Sequence, residues 1–151
     1  MVNSLHLIRE ARECIGTPYQ HQGRLKGVGL DCLGLILHVA KATGTDVSKF
    51  NERPYGPVPN GKMLKDTLDS VLVRIWDCEK SSLSFLPYLK NSDLFLITWK
   101  RFPSHMGFAA VGPYGWNIIH SHADSRFVTE HRLDEDWQAK VVSVYRFKDV
   151  K

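Results

Sequence analysis

Apolar residues recur at helical spacing through the first part of the chain. Leu5, Ile8, Ala11, Arg12 and Ile15 repeat with that period, so a first helix is predicted, capped by Asn3 or Ser4 and reaching Ile15. Gly16-Thr17-Pro18 stops it. Tyr19 to Leu30, with Gly23, Gly27 and Gly29, reads as a loop. The clearest helical pattern follows from Cys32 to Ala42, with Leu33, Ile36, Leu37 and Ala40 as its stripe and Gly44 as its C′ residue. Residues 51–61 hold three prolines and two glycines and read as an ordered surface loop. Met63, Leu64, Thr67, Leu68, Val71 and Leu72 predict a third amphipathic helix.

From Asp93 the period changes. Leu94 to Trp99 reads as a buried strand, and His105 to Val111 as another, entered through an Arg101-Phe102-Pro103-Ser104 turn. Pro113-Tyr114-Gly115 is a turn. Trp116 to His122, Phe127 to His131 and Val141 to Phe147 complete the strand series. Helices first and antiparallel strands second is the α+β order. The expectation is a helix bearing Cys32 packed on a five- or six-stranded antiparallel sheet bearing His105 and His120. No repeat or linker divides the chain, so residues 1–151 are taken as one domain.

Composition narrows the picture. Hydrophobic residues make up 43% and charged residues 24%, as in an ordinary globular protein. The net charge of +4 is a mild excess that suits an anionic partner such as an envelope polymer, and no Lys/Arg run reads as a nucleic-acid arm. Cys14, Cys32 and Cys78 are too few and too scattered for a disulfide framework or a Cys-rich zinc knuckle. Met1 to Arg12 has no apolar signal-peptide core, and no apolar run approaches the roughly 18 residues of a membrane span. The chain is therefore expected to be made in a reducing cytoplasm, without membrane insertion.

Asp31-Cys32-Leu33-Gly34-Leu35 is the stretch with the most chemistry in it. Cys32 falls at a helix N-terminus, where unpaired N–H groups and the helix dipole favour a thiolate. A nucleophilic cysteine needs a base, usually a histidine held by a third polar group. There are seven histidines. His6 reads as a surface residue, His21 as a loop residue able to line a cleft, His38 as helical, and His131 as a solvated strand end. His105, opening a core strand, is the best base. His120 and His122 share a face of a later strand, since side chains alternate, and spacing does not choose between them as the orienting group. The same histidines with His105 could hold a metal, so a zinc hydrolase is an alternative. It lacks a carboxylate at useful spacing and leaves Cys32 unexplained. Gly27-Val28-Gly29 is a weak phosphate-loop signal and reads better as backbone passing close to the nucleophile. Tyr19 is placed to lend its hydroxyl to the same cleft. Cys14 shares a face with Leu7 and Ala11 and reads as core; Cys78 lies in polar sequence.

These residues resemble a known family, the NlpC-type cell-wall cysteine peptidases with a papain-like core. Ala11-Arg12-Glu13-Cys14-Ile15-Gly16-Thr17-Pro18-Tyr19 looks like the family's entry helix and Gly-Thr-Pro-Tyr turn. Asp31-Cys32-Leu33-Gly34-Leu35 looks like its nucleophile motif, with Leu33 where most members have Ser. Ser104-His105-Met106-Gly107-Phe108 looks like its His-Val-Gly-Ile strand, and Ile118-Ile119-His120-Ser121 like its Ile-His-Ala strand. The motifs fall in the family's order across residues 4–147. His21-Gln22-Gly23-Arg24 and Glu130-His131-Arg132-Leu133-Asp134 are similar to the phage-tail or prophage variant.

The resemblance implies Cys32 as nucleophile, His105 as base and His120 as orienting residue, with His122 a neighbour. It places Tyr19 and Asp31 on the substrate and oxyanion side, beside the Cys32 N–H. It implies no cofactor. The implied substrate is a peptidoglycan stem peptide, cut between D-glutamate and the diamino acid. The implied setting is the cell wall, reached as part of a virion or tail-like particle with tail proteins as partners. A structural tail-assembly protein of the same fold and a transferase using the same triad are the rival readings.

Overall fold

The computed structural model describes residues 2–47, 61–99 and 102–150. The proline-rich stretch read as a surface loop, up to Asn60, and Arg101 lie outside the described residues.

Helix α1 spans Ser4–Glu13, and Asn3 is its cap: the Asn3 Oδ1 accepts the Leu5 N–H at 2.7 Å. The helix ends at Glu13, short of the expected Ile15, and the chain turns through Gly16 at φ +92°. Its buried face is Leu7, Ile8, Ala11 and Cys14, whereas Leu5 and Ile15 are exposed. The expected stripe was thus rotated from the true one, because both sets satisfy a 3.6-residue period and tertiary packing chooses.

The expected loop from Tyr19 to Leu30 contains a small hairpin, β1 Arg24–Leu25 paired with β2 Gly29–Leu30. Two-residue strands leave no periodic signal. Helix α2 runs Cys32–Ala42, as expected, and buries Leu35, Ile36, Leu37, Val39 and Ala40. Helix α3 spans Gly61–Val71.

The sheet has six strands: β3 Val73–Asp77, β4 Leu94–Trp99, β5 Phe102–Gly112, β6 Gly115–Ser121, β7 Val128–Arg132 and β8 Val141–Arg146. Their order is β3-β8-β4-β5-β6-β7, with every neighbouring pair antiparallel. Strand β3 was not expected; it is an edge strand without alternation between buried and exposed positions. Phe102, Pro103 and Ser104 lie inside β5, not in a turn, and a register shift against β4 between Ile97 and Thr98 accommodates Pro103. A short helix, α4, spans Glu135–Gln138 between β7 and β8.

The two sheet faces differ. Leu94, Leu96, Met106, Phe108, Ala110, Ile119 and Tyr145 pack with Leu7, Ile8, Leu35, Ile36 and Val39, so this face carries α1 and α2. Phe95, Ile97, Ala109, Ile118 and Val144 form the other face, covered by Phe85, Leu133, Trp76 and Trp137. Burying each large apolar side chain contributes roughly 1.5–3 kcal/mol, so both layers fix the sheet that positions the histidines.

Candidate active site

Asp31 builds the start of α2. As N-cap it sits in extended backbone, and its Oδ1 accepts the Gly34 N–H at 2.8 Å. The same oxygen takes Arg24 Nη1 at 3.0 Å, and Oδ2 takes the Gln22 N–H at 2.8 Å. One buried carboxylate therefore clamps the helix to the preceding loop. Gly34 is required here: a Cβ at this position would run into the Gly23 carbonyl oxygen. The Asp-Cys-x-Gly spacing is thus a packing device as well as a chemical one. A second tie comes from strand β6, where Ser121 Oγ donates to the Leu30 carbonyl at 2.7 Å.

Cys32 is half-buried at the first position of α2. The N–H groups of Leu33 and Met106 act on its sulfur and favour the thiolate. They do not win. Loss of water, followed by the neighbouring Asp31 carboxylate, pushes the thiol up to about 12. The helix-start argument alone predicted a stabilised thiolate; in this site the resting group is a neutral thiol, because desolvation outweighs the dipole.

The Met106 N–H belongs to the peptide that follows His105, so Cys32 is placed against the β5 backbone next to His105 in sequence. His105 is 4% exposed and His120 fully buried. His105 Nε2 and His120 Nδ1 lie 2.7 Å apart, with ring centroids 5.0 Å apart. Both rings stand on the face shared with Ala109 and Ile118, opposite the face that α1 and α2 cover. Cys32 thus approaches from the end of α2 toward the strand backbone, not across the apolar layer. Gly107 allows the approach of the two strands, since a Cβ there would lie 2.8 Å from the Ile118 side chain and 3.0 Å from the His120 Cβ.

Burial, reinforced by His122, holds His105 down at about 3, and burial followed by the neighbouring imidazoles holds His120 well below the usual histidine range. Both rings are neutral at physiological pH. At rest the site therefore holds a neutral Cys32 thiol and neutral His105 and His120 rings.

His122 lies 4.7 Å from His120 and 5.6 Å from His105 by ring centroid. The structure therefore brings His120, not His122, within hydrogen-bond distance of His105 Nε2. His131 departs from expectation. It is not a solvated strand end: its Nε2 lies 2.8 Å from His120 Nε2, and Trp137 covers both rings at 5.1 and 4.9 Å. The sequence signal was present but hidden, since pairing of His131 with Ile118 across β6 and β7 is what puts the ring on the His120 face.

Tyr19 is half-buried, and burial together with Asp31 and Cys32 raises its phenol above the ordinary range, leaving a protonated donor. His21 and His6 are exposed. His38 Nε2 pairs with Glu10 at 2.9 Å and ties α2 to α1. Cys14 is core, its thiol pushed up to about 11 by burial, and Cys78 is exposed. The zinc alternative needs nitrogens of His105, His120 and His122 to converge, but His105 and His120 turn their facing nitrogens on each other. Among the described residues, the metal-ligating groups whose atoms come within 4.8 Å of one another are Glu10, Cys14 and His38. There the Glu10 carboxylate is held by His38 and by Lys26 at 3.2 Å.

No protein-family model and no curated protein matches the chain. Solved structures do. The NlpC/p60 domain of the peptidoglycan hydrolase SagA is 22% identical with a TM-score of 0.64, over 97% of this chain and 100% of that one. An NlpC/p60 family protein from Bacillus cereus is 20% identical with a TM-score of 0.63, over 95% of this chain, which spans 40% of that protein's length. An N-acetylmuramoyl-L-alanine amidase from Bacteroides uniformis is 11% identical with a TM-score of 0.64, over 94% of this chain and 96% of that one. At such identities likeness establishes architecture, and the six-stranded antiparallel sheet with Cys32 at the start of α2 has the NlpC/p60 fold.

Proposed function

We propose that this chain is a cysteine peptidase that hydrolyses an amide bond in peptidoglycan stem peptides. The observation that carries the reading is the placement of Cys32. Its sulfur is acted on by the Met106 N–H, the peptide next to a buried His105 whose Nε2 is bonded to His120. That is the arrangement of nucleophile, base and orienting group that acyl transfer needs. The fold likeness to peptidoglycan hydrolases supports the substrate class.

In this reading His105 removes the Cys32 proton as the sulfur attacks the carbonyl, because neither group is charged beforehand. The oxyanion is met by the Cys32 N–H and the Tyr19 hydroxyl. The tetrahedral intermediate collapses, the amine leaves with the proton from His105, and a thioester remains. Water, deprotonated by His105, then releases the acid and restores the thiol. Asp31, buried with Oδ1 held by Gly34 and Arg24 and Oδ2 by Gln22, serves in this reading by holding the Cys32 helix start in place rather than by meeting the substrate directly. The bond proposed is that between D-glutamate and the diamino acid. The phage-tail setting rests on the resemblance of residues 21–24 and 130–134 to that variant.

Purified protein incubated with defined muropeptides, with products weighed by mass spectrometry, tests the reading. Cleavage at the D-glutamyl bond supports it in full. Cleavage at the muramoyl-alanine bond instead moves the activity to that of an amidase. Products carrying an added amine identify a transferase, and intact substrate identifies a structural protein.

A further inference from the structure

We propose that His131 is a positioning residue: bonded to the Arg132 carbonyl, it fixes the tautomers of His120 and His105 and so leaves His105 Nδ1 as the base. The proposal rests on the cysteine-peptidase reading only for its effect on turnover; the tautomers exist with or without a substrate.

The observation is a continuous chain of imidazoles. His131 Nδ1 lies 2.9 Å from the Arg132 carbonyl oxygen. His131 Nε2 lies 2.8 Å from His120 Nε2, and His120 Nδ1 lies 2.7 Å from His105 Nε2. A carbonyl oxygen only accepts, so His131 Nδ1 carries the hydrogen and donates. A neutral imidazole has a single N–H, so His131 Nε2 is an acceptor. His120 must then donate from Nε2, which makes its Nδ1 an acceptor. His105 in turn donates from Nε2, which leaves the lone pair on Nδ1. One backbone carbonyl at the end of β7 thus decides the hydrogen positions on three rings in series.

The opposite arrangement places a hydrogen on His105 Nδ1 and removes the base. It requires His120 to donate from Nδ1 and accept at Nε2. His131 would then have to donate from both nitrogens, as an imidazolium, or give up the Arg132 carbonyl. Sheet register supports the chain: His131 pairs with Ile118 and Thr129 with His120, so His131 sits diagonally from His120 on one face. Trp137 covers that face, 4.9 Å from His120 and 5.1 Å from His131.

Nitrogen-15 NMR of histidine-labelled protein, which reads N–H and bare ring nitrogens separately, tests this on the whole chain at near-neutral pH. The wild type should show bare nitrogens at His105 Nδ1, His120 Nδ1 and His131 Nε2. His131→Leu removes the acceptor for His120 Nε2–H, so His120 and His105 should become mixtures of tautomers. kcat on a soluble stem peptide should fall by about tenfold with KM little changed, since misassigned tautomers cost a base its function. His131→Gln offers an amide oxygen to His120 and an amide N–H to the carbonyl, and it should restore both the tautomers and kcat. If His131→Leu does not fold, the wild type and His131→Gln spectra still decide. A hydrogen on His105 Nδ1 in the wild type, or unmixed wild-type tautomers in His131→Leu, overturns the proposal. A protein with the expected tautomers and no turnover of any stem peptide overturns the peptidase reading and leaves the relay standing.

Discussion

Ser121 donates its hydroxyl to the Leu30 carbonyl at 2.7 Å, and both residues are fully buried. Ser121 directly follows His120, and Leu30 directly precedes Asp31-Cys32. The bond therefore joins the strand of His120 to the segment that carries Cys32, across 91 positions of sequence. Ser121→Ala removes the donor and leaves the carbonyl the 3.4 Å bond from the Gln20 N–H. A loss of about 1–2 kcal/mol in unfolding free energy is expected, read from the urea midpoint at constant slope. Wild-type stability in this variant would show that the bond does not hold the segment.

Gly107 sets the distance between β5 and β6 at the histidines. Gly107→Ala places a methyl group against the Ile118 side chain and the His120 Cβ, with a contact at 2.8 Å that must be relieved. The displacement of His120 should cost about tenfold to a hundredfold in kcat. Ala109→Gly, on the same strand and face, is the comparison that loosens packing without crowding His120. Equal losses in both variants would point to general strand destabilisation.

The charge state of Cys32 separates this site from one with a preformed ion pair. With the thiol pushed up to about 12 and His105 held at about 3, the resting pair is neutral. The thiolate ultraviolet absorbance of the wild type should match that of Cys32→Ala at neutral pH, and grow only in strong alkali. A thiolate band on Cys32 at neutral pH would mean that the helix N-terminus outweighs desolvation after all.

Folding stability should fall on mild acidification. The folded values of His105 and His120 lie below the unfolded value, so between the two the unfolded chain binds the extra protons. Stability from these rings is complete above the unfolded value of about 6.5 and is lost as pH drops below it. From about pH 7.5 to about pH 5.5 the loss should be about 1 kcal/mol per buried imidazole. Urea midpoints at the two pH values give the sign, and a midpoint that rises or stays level in acid contradicts it. The carboxylates of Asp77 and Glu130 are held below their usual range, so their contribution is lost at lower pH.

Much of this was legible in the sequence because it rests on local rules. Helix α2 was readable at both ends: Asp31 caps it, its apolar residues are continuous, and Gly44 follows. Strand β4 was readable because six consecutive apolar or β-branched residues stand in it. Cys32 and His105 stand out by position as candidates, whereas His120 is preferred to His122 only through the family resemblance. What was not legible depends on pairing across the sheet. The alternation of β6 makes His120 and His122 equivalent, and only the register with β5 brings His120 onto His105. His131 was misjudged because Glu130 and Arg132 flank it, yet its ring points at the cluster while Glu130 pairs with Arg12 at 3.0 Å. The sign of the Cys32 shift was missed because desolvation is a property of packing, not of helix position.

Turnover of a soluble stem peptide by the wild type and by Cys32→Ala, followed by mass spectrometry, tests the central claim most directly. The wild type should release two fragments. Cys32→Ala should be slower by about 10⁴-fold or more, as expected for loss of a nucleophile, with an unchanged unfolding midpoint. Full activity in Cys32→Ala would contradict the account, because the other two thiols are Cys14, packed in the core with Leu7 and Ala11, and the exposed Cys78.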